Sequence, residues 1–386
     1  MRVLLAFDKF KDALGAPDAC AAAARALAAK RPGWTLDPCP LADGGEGFGP
    51  ILTGAAHGEI VRATVTGPRG RPAEGILGLV RLERIPNPAR ALLRLPALPA
   101  DARVAVIEMA SASGLALLAT AERDVWQTST AGTGELMRIA VARGAAAIVL
   151  GIGGSATNDL GLGALGALGL EFLDSGGNSV SPPVPARWRE ITRLAGRPAT
   201  SLPPVRIACD VTNPLLGPRG AAATYGPQKG LRPGDLARLD HEGARLALML
   251  CTHFSRPDAL MEAAGTGAAG GISFGLMAAT GAELLPGFDL VSAWLDLEAR
   301  LARADVVLTG EGRFDDSSLQ GKGPGAVAAR ALALGKQVHV FAGRTTVVQP
   351  PPGLSLHSIT PDGTPLEQAL PRAAEFLEQK VRVAFG

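Results

Sequence analysis

One stretch constrains this chain more than any other: residues 146–159, AAIVLGIGGSATND. The run AAIVLGI is short, apolar and partly β-branched, the pattern of a strand buried on both faces of a parallel sheet. Gly151-Ile152-Gly153-Gly154-Ser155 follows. There the missing side chains let the backbone turn tightly and approach a ligand. Ser155, Thr157, Asn158 and Asp159 are all residue types that cap a helix start. A strand, a Gly-rich turn and a helix N-terminus together predict an anion site, because free N–H groups and the helix dipole face outward. Phosphate is the expected ligand, and a merely tight turn is the alternative.

The same rhythm recurs elsewhere. RVLLAF at 2–7 is an apolar strand that runs into Asp8-Lys9-Phe10-Lys11, and an Ala-rich helix is expected at 17–30. A second strand, 34–41, runs into Asp43-Gly44-Gly45-Glu46-Gly47, with a helical stretch to about 56. This β-α-β-α opening sets polar residues just past the carboxyl ends of strands, where open parallel sheets bind ligands. From 59 the pattern turns to alternation, with a turn at Gly67-Pro68-Arg69-Gly70 and strands at 75–81 and 103–109. Residues 85–101, rich in Pro and Arg, read as an excursion rather than a core element. Further strands are expected at 171–174, 205–209, 305–308 and 338–342. Helices are expected at 134–143, 160–169, 235–254, 272–280, 292–303, 323–334 and 365–380. No internal repeat of fixed period is found.

At 386 residues the chain suits two domains with sizeable cores. Aromatics make up only 4%, so those cores must be mainly Ala, Leu, Val and Ile. Lys and Arg (38) nearly balance Asp and Glu (36), which leaves no basic excess to hold a nucleic acid and no polybasic membrane patch. Cys20, Cys39, Cys209 and Cys251 have no metal-binding spacing, and a reduced cytoplasm fits them. The N-terminal apolar run is too short for a secretion signal. The longest uncharged stretch, 263–282, is Gly- and Ala-rich rather than a membrane span.

Several strand ends carry groups suited to chemistry. Asp43, Gly44, Gly45 and Glu46 combine two carboxylates with glycines, fit for a hydroxylated substrate or Mg2+, or else for a helix-capping turn. Asp8, Lys9 and Lys11 offer a carboxylate and two ammonium groups, and Lys is a flexible point charge for phosphoryl oxygens; the alternative is a solvated loop charge, the better reading for Lys9 alone. Asp210 stands directly after an apolar strand as a candidate base or metal ligand, with a turn-forming role as the alternative. Tyr225-Gly226-Pro227-Gln228-Lys229-Gly230 adds a lysine in a turn, which by itself reads as a solvated charge. Thr309-Gly310-Glu311-Gly312-Arg313, Asp315 and Gly321-Lys322 form a second Gly-rich, charged strand end, fit for a metal on Glu311 or Asp315 and a phosphate on Lys322, with an ion-paired surface loop as the alternative.

A helix N-terminus favours an anion by only about 0.3–2 kcal/mol, whereas enzymes remove roughly 8–23 kcal/mol of barrier. The turn at 151–159 therefore needs lysines, carboxylates and a metal beside it to carry phosphoryl transfer. It lacks the GxxxxGK[ST] spacing of a Walker A loop. It does match GxGxx[GA] through Gly151, Gly153 and Ala156, with Asp174 at the end of the next strand. An NAD(P)-dependent oxidoreductase acting on a small hydroxy acid is thus the second reading. None of the five histidines lies in a Gly-rich strand end, which weighs against it.

Taken together, the motifs resemble one family, the bacterial glycerate kinases of the type-1 glycerate kinase fold. The resemblance runs through Asp8, Phe10-Lys11, LADGGEG (41–47), VTGPRGRP (65–72), GTGEL (132–136) and GIGGSATND (151–159). It continues through ACDVTNPLLGPRGAA (208–222), YGPQKG (225–230), GAAGG (267–271) and TGEGRFD (309–315). The chain departs from the family's usual PDSFK at Lys9, and Asp316 stands where Gly is commoner.

The resemblance implies ATP- and Mg2+-dependent phosphorylation of D-glycerate to 2-phosphoglycerate. It implies an α/β protein of two domains with the active site in the cleft between them. One domain is Rossmann-like with a parallel sheet, expected at 1–60 and 290–386; the other, at 61–289, is inserted and has a mixed sheet. On this reading glycerate meets Asp43, Gly44, Gly45, Glu46 and Lys11. ATP meets Gly153, Gly154, Ser155, Thr157 and Asn158, or Gly310 and Gly312, with Lys229 or Lys322. Mg2+ is expected on Asp210, Glu311 and Asp315; the catalytic set is Asp210, Lys11, Asp8 and Asp315. Oligomeric state stays open.

Overall fold

The computed structural model describes residues 1–198, 202–316, 318–320 and 323–386. The chain divides into two compact units, Met1–Asp43 with Val291–Gly386, and Gly44–Leu290.

The first unit is built on a five-stranded, wholly parallel sheet. Its strand order is Leu354–Ser358, Gln337–Ala342, Val306–Gly310, Arg2–Phe7 and Thr35–Pro38. Arg2–Phe7 lies inside the sheet, and Val3 to Phe7 are all buried, as the unbroken apolar run requires. The helix Ala16–Lys30 packs against the C-terminal helix Ala373–Ala384. Its buried side is mostly alanine, which lets it approach Val3, Leu5 and Phe7 closely. Two features differ from the sequence expectation at the sheet edges. The second strand is the short Thr35–Pro38, although Cys39 N–H and Leu41 N–H still donate to Leu5 O and Phe7 O beyond it, and Leu354–Ser358 adds an edge strand that its mixed composition concealed. The helix expected at 292–303 is two, Gly287–Trp294 and Leu297–Arg303, broken where Asp296 adopts φ 53°.

The second unit carries a six-stranded mixed sheet in the order Glu283–Leu285, Val205–Ala208, Ala145–Gly151, Arg103–Glu108, Pro72–Arg81 and Glu59–Thr66. The first four are parallel and the last two antiparallel. Ala145–Gly151 lies inside this sheet, with Ile148 and Leu150 in a core shared with Leu136 and Leu165 of flanking helices. Glu171–Leu173 is not part of it; that strand pairs with Arg193–Ala195 in a separate two-stranded sheet and bridges Ser179.

The first boundary falls at Asp43/Gly44 rather than at 60. The helix Phe48–Ala55 packs on Pro72–Arg81 and Arg103–Glu108. Thr53 fills the space at Gly78 so closely that a Cβ there would sit 1.6 Å from its Oγ1. The stretch at 85–101 is also more integrated than an excursion. It contains the helix Asn87–Leu93, with Ile85, Ala89 and Leu93 buried. The buried Arg206 guanidinium ties it down, donating to Leu93 O at 2.7 Å and Arg94 O at 2.8 Å.

Candidate active site

In the second unit the two most Gly-rich strand ends meet. Gly153 N–H donates to Gly44 O at 2.9 Å. A Cβ on Gly153 would lie 2.7 Å from Gly45 Cα, and one on Gly151 2.6 Å from Gly44 O. Only paired glycines allow two turns to stack backbone on backbone in this way. Gly44, Gly45 and Glu46 are thereby gathered with Gly153 and Gly154 on one surface, and the Glu46 carboxylate flanks the Gly154 position. Glu108, which the sequence reading passed over, fixes this arrangement. Its Oε2 accepts from Gly47 N–H at 3.0 Å and Gly49 N–H at 3.1 Å, at the start of the helix Phe48–Ala55. The signal was present, since Glu108 is a carboxylate that ends an apolar strand, as Asp8 and Asp210 nearly do.

The turn continues into Ser155, Thr157, Asn158 and Asp159, all buried. The expected anion site at a free helix N-terminus is not what forms. The helix Leu162–Ala167 has only six residues, and the protein's own carboxylate occupies its start. Asp159 accepts from Gly161 N–H and Gly163 N–H, and from both N–H and Oγ1–H of Thr130. Burial pushes this carboxyl up while those four donors oppose the shift.

What the turn offers a ligand is different. Thr157 Oγ1 and Asn158 Oδ1 are buried with no hydrogen-bond partner, a costly state unless something completes it. Beneath them lies Lys229, which is buried rather than solvated. It donates to Ser155 Oγ at 2.8 Å and Thr157 O at 2.7 Å, and burial pulls its ammonium down to about 7. Asp210 lies beyond the strand Val205–Ala208, where its Oδ2 accepts from Phe288 N–H at 2.9 Å and so caps the helix Gly287–Trp294.

In the first unit the ends of parallel strands Arg2–Phe7 and Val306–Gly310 open on a cavity of about 930 Å³. Asp8, Lys11, Asp43, Glu311 and Gly312 line it. Asp8 is buried, and its carboxyl is pushed up to about 7, first by burial and then by the Asp43 charge. The Lys9 N–H donates to Asp8 Oδ1 at 2.6 Å, and Lys9 Nζ pairs with Asp43 at 3.1 Å. Burial raises Glu311 as well, with Asp315 adding repulsion. Asp315 pairs with Arg313 at 3.3 Å. Gly310 is a packing glycine, since a Cβ there would lie 1.8 Å from Phe341 O. Lys322 lies outside the described residues.

Among the described residues no three His, Cys, Asp or Glu side chains gather as a metal-ligating group. Mg2+ needs fewer, commonly one or two carboxylates together with substrate phosphates and water. Glu311 and Asp315 supply hard oxygen donors, and the Asp315 charge adds to the rise of the Glu311 carboxyl, a repulsion that a cation would relieve, so their chemistry fits such an ion.

The family model described as the glycerate kinase family matches residues 3–385. The chain belongs to the glycerate kinase family. Membership makes it a kinase. It is 37% identical to the glycerate kinase of Bacillus subtilis (strain 168), over 99% of this chain and 96% of that one. It is 36% identical to the glycerate 2-kinase of Escherichia coli (strain K12), over 90% of this chain and 86% of that one. A crystal structure assigned as glycerate kinase 2 from Salmonella typhimurium LT2 superposes with a TM-score of 0.77 at 36% identity, covering 100% of this chain and 97% of that one. Nothing in this kinase favours the oxidoreductase reading. Asp174, at the end of the strand after the GxGxx[GA] turn, closes a turn by accepting from Gly176 N–H and Asn178 N–H, and that strand lies apart from the six-stranded sheet. Among the described residues no helix is long and apolar enough to cross a membrane.

Proposed function

We infer that this chain transfers the γ-phosphoryl group of ATP to D-glycerate, forming 2-phosphoglycerate and ADP, in the cytoplasm. The observation that carries this reading is that the family match spans residues 3–385, while the chain gathers the glycine turns 44–46 and 153–154 on one surface.

Glycerate's carboxylate and hydroxyls are assigned to Asp43, Gly44, Gly45 and Glu46. The unpaired oxygens of Thr157 and Asn158, on the turn braced by Lys229, suit hydroxyl or phosphate hydrogen bonds. Gly312 and Lys11, which line the cavity of the first unit, are assigned to phosphate, and Gly310 keeps its packing role. The substrate hydroxyl loses its proton to a carboxylate as its oxygen attacks the γ-phosphorus in line, and ADP leaves. Asp8 suits this role because its raised carboxyl is a base poised near neutrality. Asp210 orients the hydroxyl. Lys11 offsets the charge that develops on the transferring group. Mg2+ would be held by Glu311 and Asp315 and would neutralise phosphate charge.

The test is a coupled ADP-release assay across small hydroxy acids, with the product regiochemistry read by phosphorus NMR. ADP release with D-glycerate and a 2-phospho product is expected; no ADP release with any hydroxy acid would refute the reading. Asp210→Asn keeps an oxygen for the helix cap, so a large fall in kcat at unchanged melting temperature reports chemistry rather than fold. An unchanged kcat removes Asp210 from the reaction.

A further inference from the structure

The cavity of the first unit has two chemically unlike ends. At one, the strand ends present Asp8, Lys11 and Glu311. At the other, the segment after strand Leu354–Ser358 contributes Ile359, Leu366 and Leu370. Leu366 lines the cavity and yet is 71% exposed, a large apolar side chain left facing water. The volume of about 930 Å³ lies near the top of the roughly 300–1,000 Å³ that small-molecule sites span. A three-carbon acid fills little of it and has no apolar surface for the second end. Thr345 lines the same cavity. Its N–H donates to Ser358 Oγ at 3.2 Å, whereas its own Oγ1 is buried with no partner.

We propose that this cavity is the nucleoside subsite. The base packs on Ile359, Leu366 and Leu370, the Thr345 hydroxyl completes a hydrogen bond to the nucleoside, and the polyphosphate runs to the Lys11 end. Position supports this, since the site opens at the carboxyl ends of a parallel sheet. The proposal presupposes the ATP-dependent reading above, but it is tested by binding as well as by turnover.

Two variants of the full chain are titrated with ADP and with inorganic tripolyphosphate, which has no base. Leu366→Asn combined with Leu370→Asn should weaken ADP and raise the KM for ATP at least about tenfold. Tripolyphosphate inhibition and the KM for glycerate should stay within about twofold of wild type. Thr345→Val should weaken ADP while leaving the melting temperature unchanged or higher, because it removes an unpaired buried hydroxyl. ADP affinity that is unchanged in both variants overturns the subsite even if glycerate is phosphorylated normally. Where wild type fails to phosphorylate glycerate, selective loss of ADP in the variants still supports the subsite, and absence of ADP binding by wild type overturns it.

Discussion

Asp8 holds its proton to about 7 in the folded chain, against 3.8 for an ordinary aspartate. Between those values the folded state binds the proton and the unfolded chain does not, so stability falls as pH rises through the window. Asp8→Asn should therefore gain stability of order 2 kcal/mol at about pH 8, read as a higher melting temperature, and the gain should disappear near pH 4. The same variant should lose most of its kcat. Equal thermal melts of the two proteins at both pH values would remove the strain assigned to Asp8. Lys229 works in the opposite sense. Its folded value of about 7 lies below the ordinary 10.5, so the unfolded chain binds more protons between them and stability rises with pH. Urea melts should show wild type gaining about 2 kcal/mol on Lys229→Met between pH 7 and pH 9. Asp8 was legible as a strand-end carboxylate. Lys229 was not, because a lysine in a Gly-Pro turn looks solvated until the turn at 155–157 is folded over it.

The glycine turns are the elements on which the candidate site depends. Gly153→Ala places a methyl 2.7 Å from Gly45 Cα and 2.8 Å from Gly45 N, and neither backbone atom can swing away. A cost of about 1–3 kcal/mol follows from overpacking, with a raised KM for glycerate as the turn 44–46 shifts. Chemical denaturation and steady-state kinetics check both effects, and a neutral Gly153→Ala would separate the two turns functionally. Asp159 is also an element-scale lesson. The residue pattern predicted a helix start open to an outside anion, and the helix start is real. The anion that occupies it is Asp159 itself, because a buried carboxylate beside free N–H groups satisfies both at once.

Across the whole chain, the first unit draws its sheet from residues about 300 apart, pairing Val3 with Val306 and Leu5 with Leu308. The second unit closes shorter loops, from Arg103–Glu108 to Ala145–Gly151 and from there to Val205–Ala208. Non-local pairings form late because loop-closure entropy is spent before contacts repay it. In pulse-labelling hydrogen exchange during refolding, the amides of 145–151 and 205–208 should gain protection before those of 2–7 and 306–310. The reverse order would show that loop closure does not set the sequence of events.

By itself the sequence determined the periodic elements. Short continuous apolar runs bounded by glycine marked strands buried on both faces, Gly-rich strand ends marked turns, and the order of motifs identified the family along nearly the whole chain. It could not determine what depends on which elements become neighbours. The edge strands Glu283–Leu285 and Leu354–Ser358 are too short and mixed to announce themselves and form because a sheet edge is there to receive them. The helix Phe48–Ala55 takes its unit from what it packs against, not from its own residues. The roles of Glu108 and Lys229 likewise arise from partners 59 to 74 positions away, and Asp159 joins its local donors Gly161 and Gly163 to Thr130, 29 positions away. Only the folded chain sets those distances, and so only it decided that the strongest motif, the turn at 151–159, is braced from below by a lysine and closed at its helix by its own aspartate.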